Sequence, residues 1–288
     1  MKAVKTSRRA TEKIPMAWSQ GTKCDLIDPI PNHKHMPQDE YFYFGILRGT
    51  GDMLKRSIQN KWDYYSCDHA YFIAGHSGSN PWYRITKNNL ISSTMVERSA
   101  DRYEKFFKQD LLPWRQPSKN NKIVVCPPTG AIEWFYDTQD WLNTTVKTLK
   151  QHTSREIIVR DKPMDPQVAT KNGITTLTGF NKSVQDKPLD EDLSQAHCVV
   201  TFNSNVAVKS ITQGIPVICG PECVAHPIAN TIENIENLKS FDREPWLPFS
   251  LQSIYFERNI TRICLRNIKC VSHRFVPTIL TSKILFLF

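Results

Sequence analysis

The chain has 288 residues, of which 40% are hydrophobic and 23% are charged, and it carries a formal net charge of +9. This composition is typical of a folded globular protein and excludes a collagen-like or disordered chain. It has no run of about 18 apolar residues that would span a membrane, and the basic first ten residues lack the apolar core of a signal peptide. We therefore expect a cytoplasmic protein, whose positive charge suits an acidic partner such as nucleic acid or an anionic substrate.

The cysteine pattern argues against a metal centre. Eight cysteines are scattered along the chain. The two closest pairs, Cys219 with Cys223 and Cys264 with Cys270, lack the matching second pair that a structural zinc site needs. We expect buried, reduced thiols and no bound metal.

Residues 1–116 are predicted to form a compact N-terminal α/β domain. No apolar first strand is predicted at its start. The predicted elements, in chain order, are a short helix that Met16 opens, a loop at 29–38, a strand at 41–47, a glycine turn followed by a helix near 52–60, and a strand at 63–68.

A long loop is predicted over 69–87. It carries interleaved aromatic and basic side chains, namely Tyr71, His76, Trp82, Tyr83, Arg84 and Lys87. Such a loop suits a platform for a base or a sugar, although an ordinary surface loop with packed aromatics gives the same pattern. A charged helix is predicted over 97–108, and the segment 111–121, with its two prolines, is predicted to link the two domains.

Residues 117–256 are predicted to form a second, doubly wound α/β domain. Strands alternate with helices and short loops, which is typical of a parallel sheet with helices on both faces. The predicted elements are strands at 122–126, 156–160, 198–202 and 215–219, helices at 141–152 and 206–213, and a turn or short helix at 188–193.

The stretch 197–221 is the most informative of the chain. An apolar, β-branched strand leads into Asn203, Ser204 and Asn205, which favour the start of a helix, and Gly214 lies where that helix should end. Free N–H groups and the positive end of the helix dipole at such a start form an anion site, and phosphate is the usual anion. A helix cap without a ligand is the simpler alternative for Ser204.

Ligands of parallel α/β sheets bind at the carboxyl ends of the strands. Arg160 would offer a planar fork to a diphosphate there, and Lys162 would add a point charge beside it. The absence of GxGxxG and P-loop motifs argues against a dinucleotide enzyme or a P-loop NTPase. The sequence therefore predicts a nucleotide-diphosphate site formed by Pro128, Arg160, Lys162, Ser204, Asn205 and Glu222.

Several segments resemble a family of glycosyltransferase-like proteins that tailed phages and capsule or lipopolysaccharide gene clusters encode. They are VRDKP at 159–163, the stretch 188–223 that begins PLDEDL, and DREPWL at 242–247. The first-half segments YFYFGILRGTGDMLKR, DYYSCDHAYF and YRITKN resemble the phage branch in particular. Together these segments extend the resemblance over residues 16–256.

This resemblance implies a GT-B-like α/β fold, with two Rossmann-like domains facing across a cleft. It implies a metal-independent glycosyltransferase that takes a nucleotide-sugar as its donor substrate and needs no other cofactor. For the phage branch, the implied acceptor is a hydroxymethylated pyrimidine in DNA within the host cell, and the basic charge fits DNA. The alternatives are a capsule or lipopolysaccharide-type transferase, a nucleotide-sugar epimerase, and a non-catalytic relic of the fold that binds nucleic acid.

An inverting transfer needs a general base near the acceptor hydroxyl. Asp68 and His69, at the end of a predicted strand of the first domain, are the leading candidates, and His76 follows. A turn carboxylate is the alternative for Asp68, and a retaining enzyme would need no such base.

The segment 257–288 departs from the rest of the pattern. It is basic, has no acidic residue after Glu257, and finishes on apolar residues. We expect it to be foreign to the fold, as after a frame change or in a truncated gene product. The alternative is a basic amphipathic tail for membrane surfaces.

Overall fold

The computed structural model contains two α/β halves, which follow one another along the chain. The structure describes residues 1–7, 9–47, 49–71, 82–91, 104–105, 111–161, 181–182, 188–251 and 254–256. Within these ranges, the first half is built on a six-stranded sheet and the second half on a five-stranded sheet.

The first sheet combines parallel and antiparallel pairing. Its strands are β1 (Lys2–Val4), β2 (Asp25–Ile27), β3 (Tyr41–Phe44), β4 (Tyr64–His69), β5 (Trp82–Lys87) and β11 (Ile254–Phe256), and its helices are α1 (Arg9–Thr22) and α2 (Thr50–Gln59). The strand order is β11-β5-β4-β3-β1-β2. Strands β2, β1, β3 and β4 run parallel to one another, whereas β5 is antiparallel to β4 and β11 is antiparallel to β5.

Three expectations for the first half are wrong. The chain does open with a strand, since β1 lies between β2 and β3 and its Ala3 and Val4 are fully buried. Residues 82–87, predicted as loop, form β5 because their backbone pairs with β4. Residues 254–256, predicted to belong to the second domain, pair with β5 and so extend the first sheet.

The second sheet is parallel throughout. Its strands are β6 (Lys122–Cys126), β7 (Ile157–Val159), β8 (Asn181–Lys182), β9 (Ala196–Thr201) and β10 (Val217–Cys219), in the order β10-β9-β6-β7-β8. The helices of this half are α3 (Gly130–Tyr136), α4 (Trp141–His152), α5 (Leu189–Ser194), α6 (Val206–Thr212) and α7 (Trp246–Leu251). The predicted α4 is confirmed with its bounds, whereas α3 was not predicted.

The segment between the halves is irregular, as predicted, but it is packed rather than loose. Leu112 N donates to Thr212 O at 3.1 Å, and Arg115 N donates to Gly214 O at 2.7 Å. Gly214 ends α6 with a φ of +72°, and a Cβ at this position would lie 2.0 Å from Pro113 O. The glycine is therefore required both by the left-handed turn and by the close approach of the linker.

The two halves share apolar contacts. Phe135 of α3, in the second half, belongs to the same buried cluster as Tyr41, Tyr43 and Met53 of the first half. Ala70, from the first half, belongs to the main buried cluster of the second half.

The predicted fold class, a GT-B-like α/β architecture with two Rossmann-like halves, is confirmed. None of the described helices is both long and apolar enough to cross a membrane. The predicted helix 97–108, apart from 104–105, and the tail 257–288 lie outside the described residues, so these expectations stay predictions.

Candidate functional site at the junction of the two halves

The carboxyl end of β4 in the first sheet meets the carboxyl end of β9 in the second. The Asn205 side chain, just after β9, donates a hydrogen bond of 3.4 Å from Nδ2 to Ala70 O, just after β4. Tyr71 and Trp82 of the first half pack against the buried cluster of the second half. This junction is where parallel α/β sheets bind ligands.

Arg160 lies at the carboxyl end of β7 and is held by a buried carboxylate. Its Nη1 donates to Oδ2 of Asp192 at 2.6 Å, and the two side chains are only 10% and 2% exposed. A buried carboxylate requires a charged partner because water no longer solvates it. Asp192 therefore orients the guanidinium at the strand end. Lys162, predicted to act beside Arg160, lies outside the described residues.

Ser204 and Asn205 begin α6 as predicted. Val206 N donates to Ser204 Oγ at 3.4 Å, and Ala207 N donates to Ser204 O at 3.1 Å. Both residues remain half-exposed at the carboxyl edge of the sheet. The serine hydroxyl thus accepts from the first N–H of the helix, and it can still donate its own proton to a ligand.

Pro128 and Glu222 lie at the carboxyl ends of β6 and β10. Pro128 is half-buried in the short connection to α3. The Glu222 side chain folds back over Gly220. A Cβ atom at Gly220 would lie 2.9 Å from the Glu222 Oε2. The missing side chain at Gly220 therefore leaves room for the Glu222 carboxylate at this edge.

Asp68 is held at the junction by Arg84, its partner across β4 and β5. The Arg84 Nη2 lies 3.0 Å from Asp68 Oδ2, and its Nη1 donates to His69 O at 2.7 Å. The guanidinium also lies 4.6 Å from the Tyr71 ring centre. Burial lowers the pKa of Arg84, but the combined electrostatic effects of Tyr71, Asp68, Cys67 and Tyr136 outweigh it, so the pKa of Arg84 is raised. The Asp68 side chain keeps 44% of its surface exposed.

The His69 side chain projects to the other face of β4, because neighbouring residues of a strand alternate in direction. Its ring lies edge-on to Phe44, at 5.8 Å between centres, and 5.5 Å from Tyr83. Of the two adjacent candidates for a general base, the structure therefore brings only the Asp68 side chain beside Arg84. The third candidate, His76, lies outside the described residues.

A cavity of about 470 Å³ lies between the halves and falls within the usual size range of small-molecule sites. The rings of Tyr64, Phe135 and Tyr136 line it, together with Lys55 and Glu222. Burial raises the pKa of Tyr136 above its ordinary range, so this hydroxyl stays protonated and can donate a hydrogen bond. Within the described ranges, no three His, Cys, Asp or Glu side chains are grouped to hold a metal ion.

Sequence reasoning missed Asp192 and Tyr136 as residues of this site, and it named Arg84 only as part of a possible base or sugar platform. Arg84 was placed in a predicted loop, and only the pairing of β5 with β4 brings it opposite Asp68. Three acids lie in the first turn of α5, and their spacing alone does not tell which one is buried. Tyr136 lies on a helix that was not predicted.

Comparisons with known proteins find distant likenesses of fold. No protein-family model matches the chain, and no curated protein matches its sequence. The alignment with the KpsC β-Kdo 2,4-transferase of Thermosulfurimonas dismutans covers 92% of this chain and 98% of the KpsC chain, at 11% identity and a TM-score of 0.47. The alignment with the KpsC β-Kdo 2,7-transferase of the same organism covers 93% of this chain and 99% of the KpsC chain, at 13% identity and a TM-score of 0.44.

The alignment with the spinosyn rhamnosyltransferase SpnG, a complex with spinosyn aglycone, covers 92% of this chain and 72% of the SpnG chain. The identity is 9% and the TM-score is 0.32. At these identities and TM-scores, the likenesses assign no activity to this chain.

Proposed function

We propose that the chain is a nucleotide-sugar-dependent glycosyltransferase, with the donor at the carboxyl edge of the second sheet and the acceptor at that of the first. The observation that carries this proposal is the hydrogen bond from Asn205 to Ala70, which joins the two edges at 3.4 Å. Since parallel α/β sheets bind ligands at these edges, a donor on one and an acceptor on the other lie within reach.

On the donor side, Arg160 and Lys162 would neutralise the leaving diphosphate, while Ser204 and the start of α6 would add neutral donors. Arg160 is already oriented by Asp192 at 2.6 Å, so little rotamer freedom is lost on binding. Pro128 and Glu222 would border the rest of the nucleotide-sugar. Fixed cationic and N–H groups of this kind stabilise a leaving diphosphate without a metal ion.

On the acceptor side, Asp68 is the proposed general base of an inverting transfer. The acceptor oxygen attacks the anomeric carbon, the bond from that carbon to the diphosphate oxygen breaks, and Asp68 takes the acceptor proton. Arg84 would act as a positioning residue, because its ion pair at 3.0 Å directs the Asp68 carboxylate. His76 is the other proposed base, whereas the His69 ring packs against Phe44 and Tyr83 on the opposite face of β4.

We further propose a hydroxymethylated pyrimidine in DNA as the acceptor. The net charge of +9 supports an anionic partner, and the resemblance of the first half to the phage branch favours DNA over glycan or lipid. The test is the transfer of radiolabelled sugar to hydroxymethylated DNA, with unmodified DNA as the control. If the protein binds the donor but labels neither DNA, the proposed acceptor is wrong, while the proposed donor site is not contradicted.

A melting panel of UDP, GDP, CDP and their sugars tests the donor site. One nucleotide should raise the melting temperature, because a ligand at 100 times its Kd stabilises the folded state by about 2.7 kcal/mol. Ser204→Ala and Glu222→Gln should both reduce this shift, whereas Glu244→Gln, an exposed control on the same half, should not.

No shift with any nucleotide, in a protein that melts cooperatively, would contradict the proposed function. If both site variants keep the full shift, the nucleotide binds elsewhere and not at this edge.

A further inference from the structure

The cavity of about 470 Å³ between the halves borders the carboxyl edge of the second sheet. Pro221 and Glu222, which follow β10, line it, together with the end of α2, the start of β4, the segment 89–91 and the end of α3. Strand β10 is the neighbour of β9, and neighbouring strands lie about 4.8 Å apart. A sugar on a diphosphate at the start of α6, just after β9, would therefore reach the cavity by extending past one strand.

The cavity and the proposed base lie on one face of the first sheet. Tyr64, the first residue of β4, lines the cavity. Tyr64 and Asp68 are four residues apart on this strand, so their side chains project from the same face. A donor sugar has to lie on this face if Asp68 is to activate the acceptor that attacks it.

The lining combines aromatic rings with a few polar groups. Tyr64 and Phe135 are 6% and 5% exposed, and the rings of Phe135 and Tyr136 meet edge-on at 5.2 Å between centres. The amides of Gln59 and Asn89 belong to the exposed part of the lining. A sugar ring has apolar C–H faces and a rim of hydroxyls, so it can pack on aromatic rings while amides and carboxylates bind its hydroxyls.

The charges of the lining favour a neutral sugar over an anionic one. Lys55 is the one cation among the described residues that line the cavity. Its Nζ lies 3.0 Å from Asp137 Oδ1 and donates to Trp134 O at 2.8 Å. Because Lys55 and Asp137 compensate each other, the described lining keeps the negative charge of Glu222.

Arg84 acts on the same region from the first sheet, but it too has a carboxylate partner. Burial and the charge of Glu222 raise the pKa of Tyr136, and the charge of Arg84 opposes them. The guanidinium of Arg84 is paired with Asp68 at 3.0 Å, and its Nε is buried. Neither Lys55 nor Arg84 is thus available to bind the carboxylate of an acidic sugar.

We propose that this cavity holds the transferred sugar of the donor, and that Glu222 makes the protein select a neutral hexose over a uronic acid. The inference rests on the proposed function. Two hydroxyls of a neutral hexose can donate to the Glu222 carboxylate, whereas a uronic acid places a like charge beside it. An unpaired like charge discriminates against the wrong ligand more strongly where water is excluded.

Calorimetry with matched donors tests this proposal. For UDP, the ligands are free UDP, UDP-glucose and UDP-glucuronic acid, with the galactose and galacturonic acid esters as a second pair; for another nucleotide, its own hexose and uronic acid esters take their place. The esters of each pair differ only at C6. In at least one pair, the hexose ester should bind more tightly than the free diphosphate, and the uronic acid ester should bind about tenfold or more weakly than the hexose ester.

A charge variant and its control identify the selecting group. Glu222→Gln should weaken the hexose ester and tighten the uronic acid ester, so that most of the difference between them is lost. Glu244→Gln removes the same charge from an exposed position of the same half and should keep the wild-type ratio. A melting curve checks that each variant is folded.

A second pair of variants tests whether the sugar occupies the cavity. Ile58 lines the cavity at the end of α2 and is 39% exposed. Ile58→Trp should weaken the hexose ester and leave the binding of the free diphosphate unchanged. Asn60→Trp, which adds the same ring at an exposed position just after α2, should change neither.

Three results would overturn the proposal while the free diphosphate still binds and the donor site stands. They are equal affinity for the hexose and uronic acid esters, a ratio that Glu222→Gln leaves unchanged, and full affinity of the hexose ester for Ile58→Trp. No binding of any nucleotide would contradict the proposed function and this inference together.

Discussion

At the scale of single residues, Asp190 and Asp192 on α5 have opposite environments. Asp192 is buried against Arg160 at 2.6 Å, whereas Asp190 is 61% exposed and pairs with Lys209. Asp192→Asn should cost about 3–5 kcal/mol of unfolding free energy, because it removes a buried charge that pairs with the guanidinium. Asp190→Asn, the matched control, should cost less than about 1 kcal/mol.

Urea unfolding of both variants checks this prediction. Equal losses for the two aspartates would show that burial does not set the strength of the Arg160 pair.

Gly214 gives a second prediction at this scale. Gly214→Ala should destabilise the protein by about 3 kcal/mol or more, because alanine must adopt a positive φ and its Cβ collides with Pro113 O. Gly130→Ala, at the start of α3 where a Cβ meets nothing within 4 Å, should change stability by less than about 1 kcal/mol. Thermal melting compares the two variants, and a tolerated alanine at 214 would contradict the role given to this glycine.

The residues that the sequence placed correctly are those with local signals. Ser204, Asn205 and Gly214 start and end one helix, and capping chemistry acts within a few positions of the chain. The pairs Arg84–Asp68 and Arg160–Asp192 join distant segments, and neither charge pattern nor spacing indicates such partners. This is why Asp68 and Arg160 were predicted at the two edges and the residues that orient them were not.

At the scale of elements, β9 contains a buried histidine that makes stability depend on pH. His197 is 3% exposed, and its Nε2 lies 2.6 Å from Ile235 O. Burial lowers its pKa from the ordinary 6.5, against the opposing effect of the Ile235 carbonyl. Because the unfolded chain takes up the proton first, stability should be full above pH 6.5 and should fall as the pH drops below it.

Urea unfolding between pH 5 and 8 measures this effect. His197→Gln should flatten the profile over that interval, while His33→Gln, in an exposed loop, should leave it unchanged. An identical slope in wild type and His197→Gln would contradict the assignment.

Long or strongly β-branched elements could be predicted from the sequence. Short strands, and strands that form only because they pair with a neighbour, could not. The four predicted strands of the second sheet are confirmed because each is an apolar run that is buried on both faces. In contrast, β1 has three residues and β5 is a mixed sequence whose pairing with β4 makes it a strand. Tertiary pairing decides such segments, and local propensity does not report it.

At the scale of the whole molecule, α3 couples the two halves. Phe135 is 5% exposed within the first-half cluster, while its neighbour Trp134 is 41% exposed. Phe135→Ala should cost about 3–5 kcal/mol and should weaken the first half, although the residue belongs to the second. Trp134→Ala should cost less, since it removes a largely exposed ring that contacts Lys55 at 5.0 Å and covers Gly51.

Amide hydrogen exchange of β3 reports this coupling. Faster exchange in Phe135→Ala than in Trp134→Ala is expected, and unchanged exchange in β3 would show that the halves are energetically independent.

The central claim is that a nucleotide-sugar binds at the carboxyl edge of the second sheet, where it faces the first. Amide hydrogen exchange with and without the nucleotide found in the melting panel tests it most directly. The account predicts protection in peptides that cover 127–130, 160–161, 203–207 and 220–223, with the amino ends of the same strands unchanged. Protection confined to the amino ends, or no protection at saturating nucleotide, would contradict it.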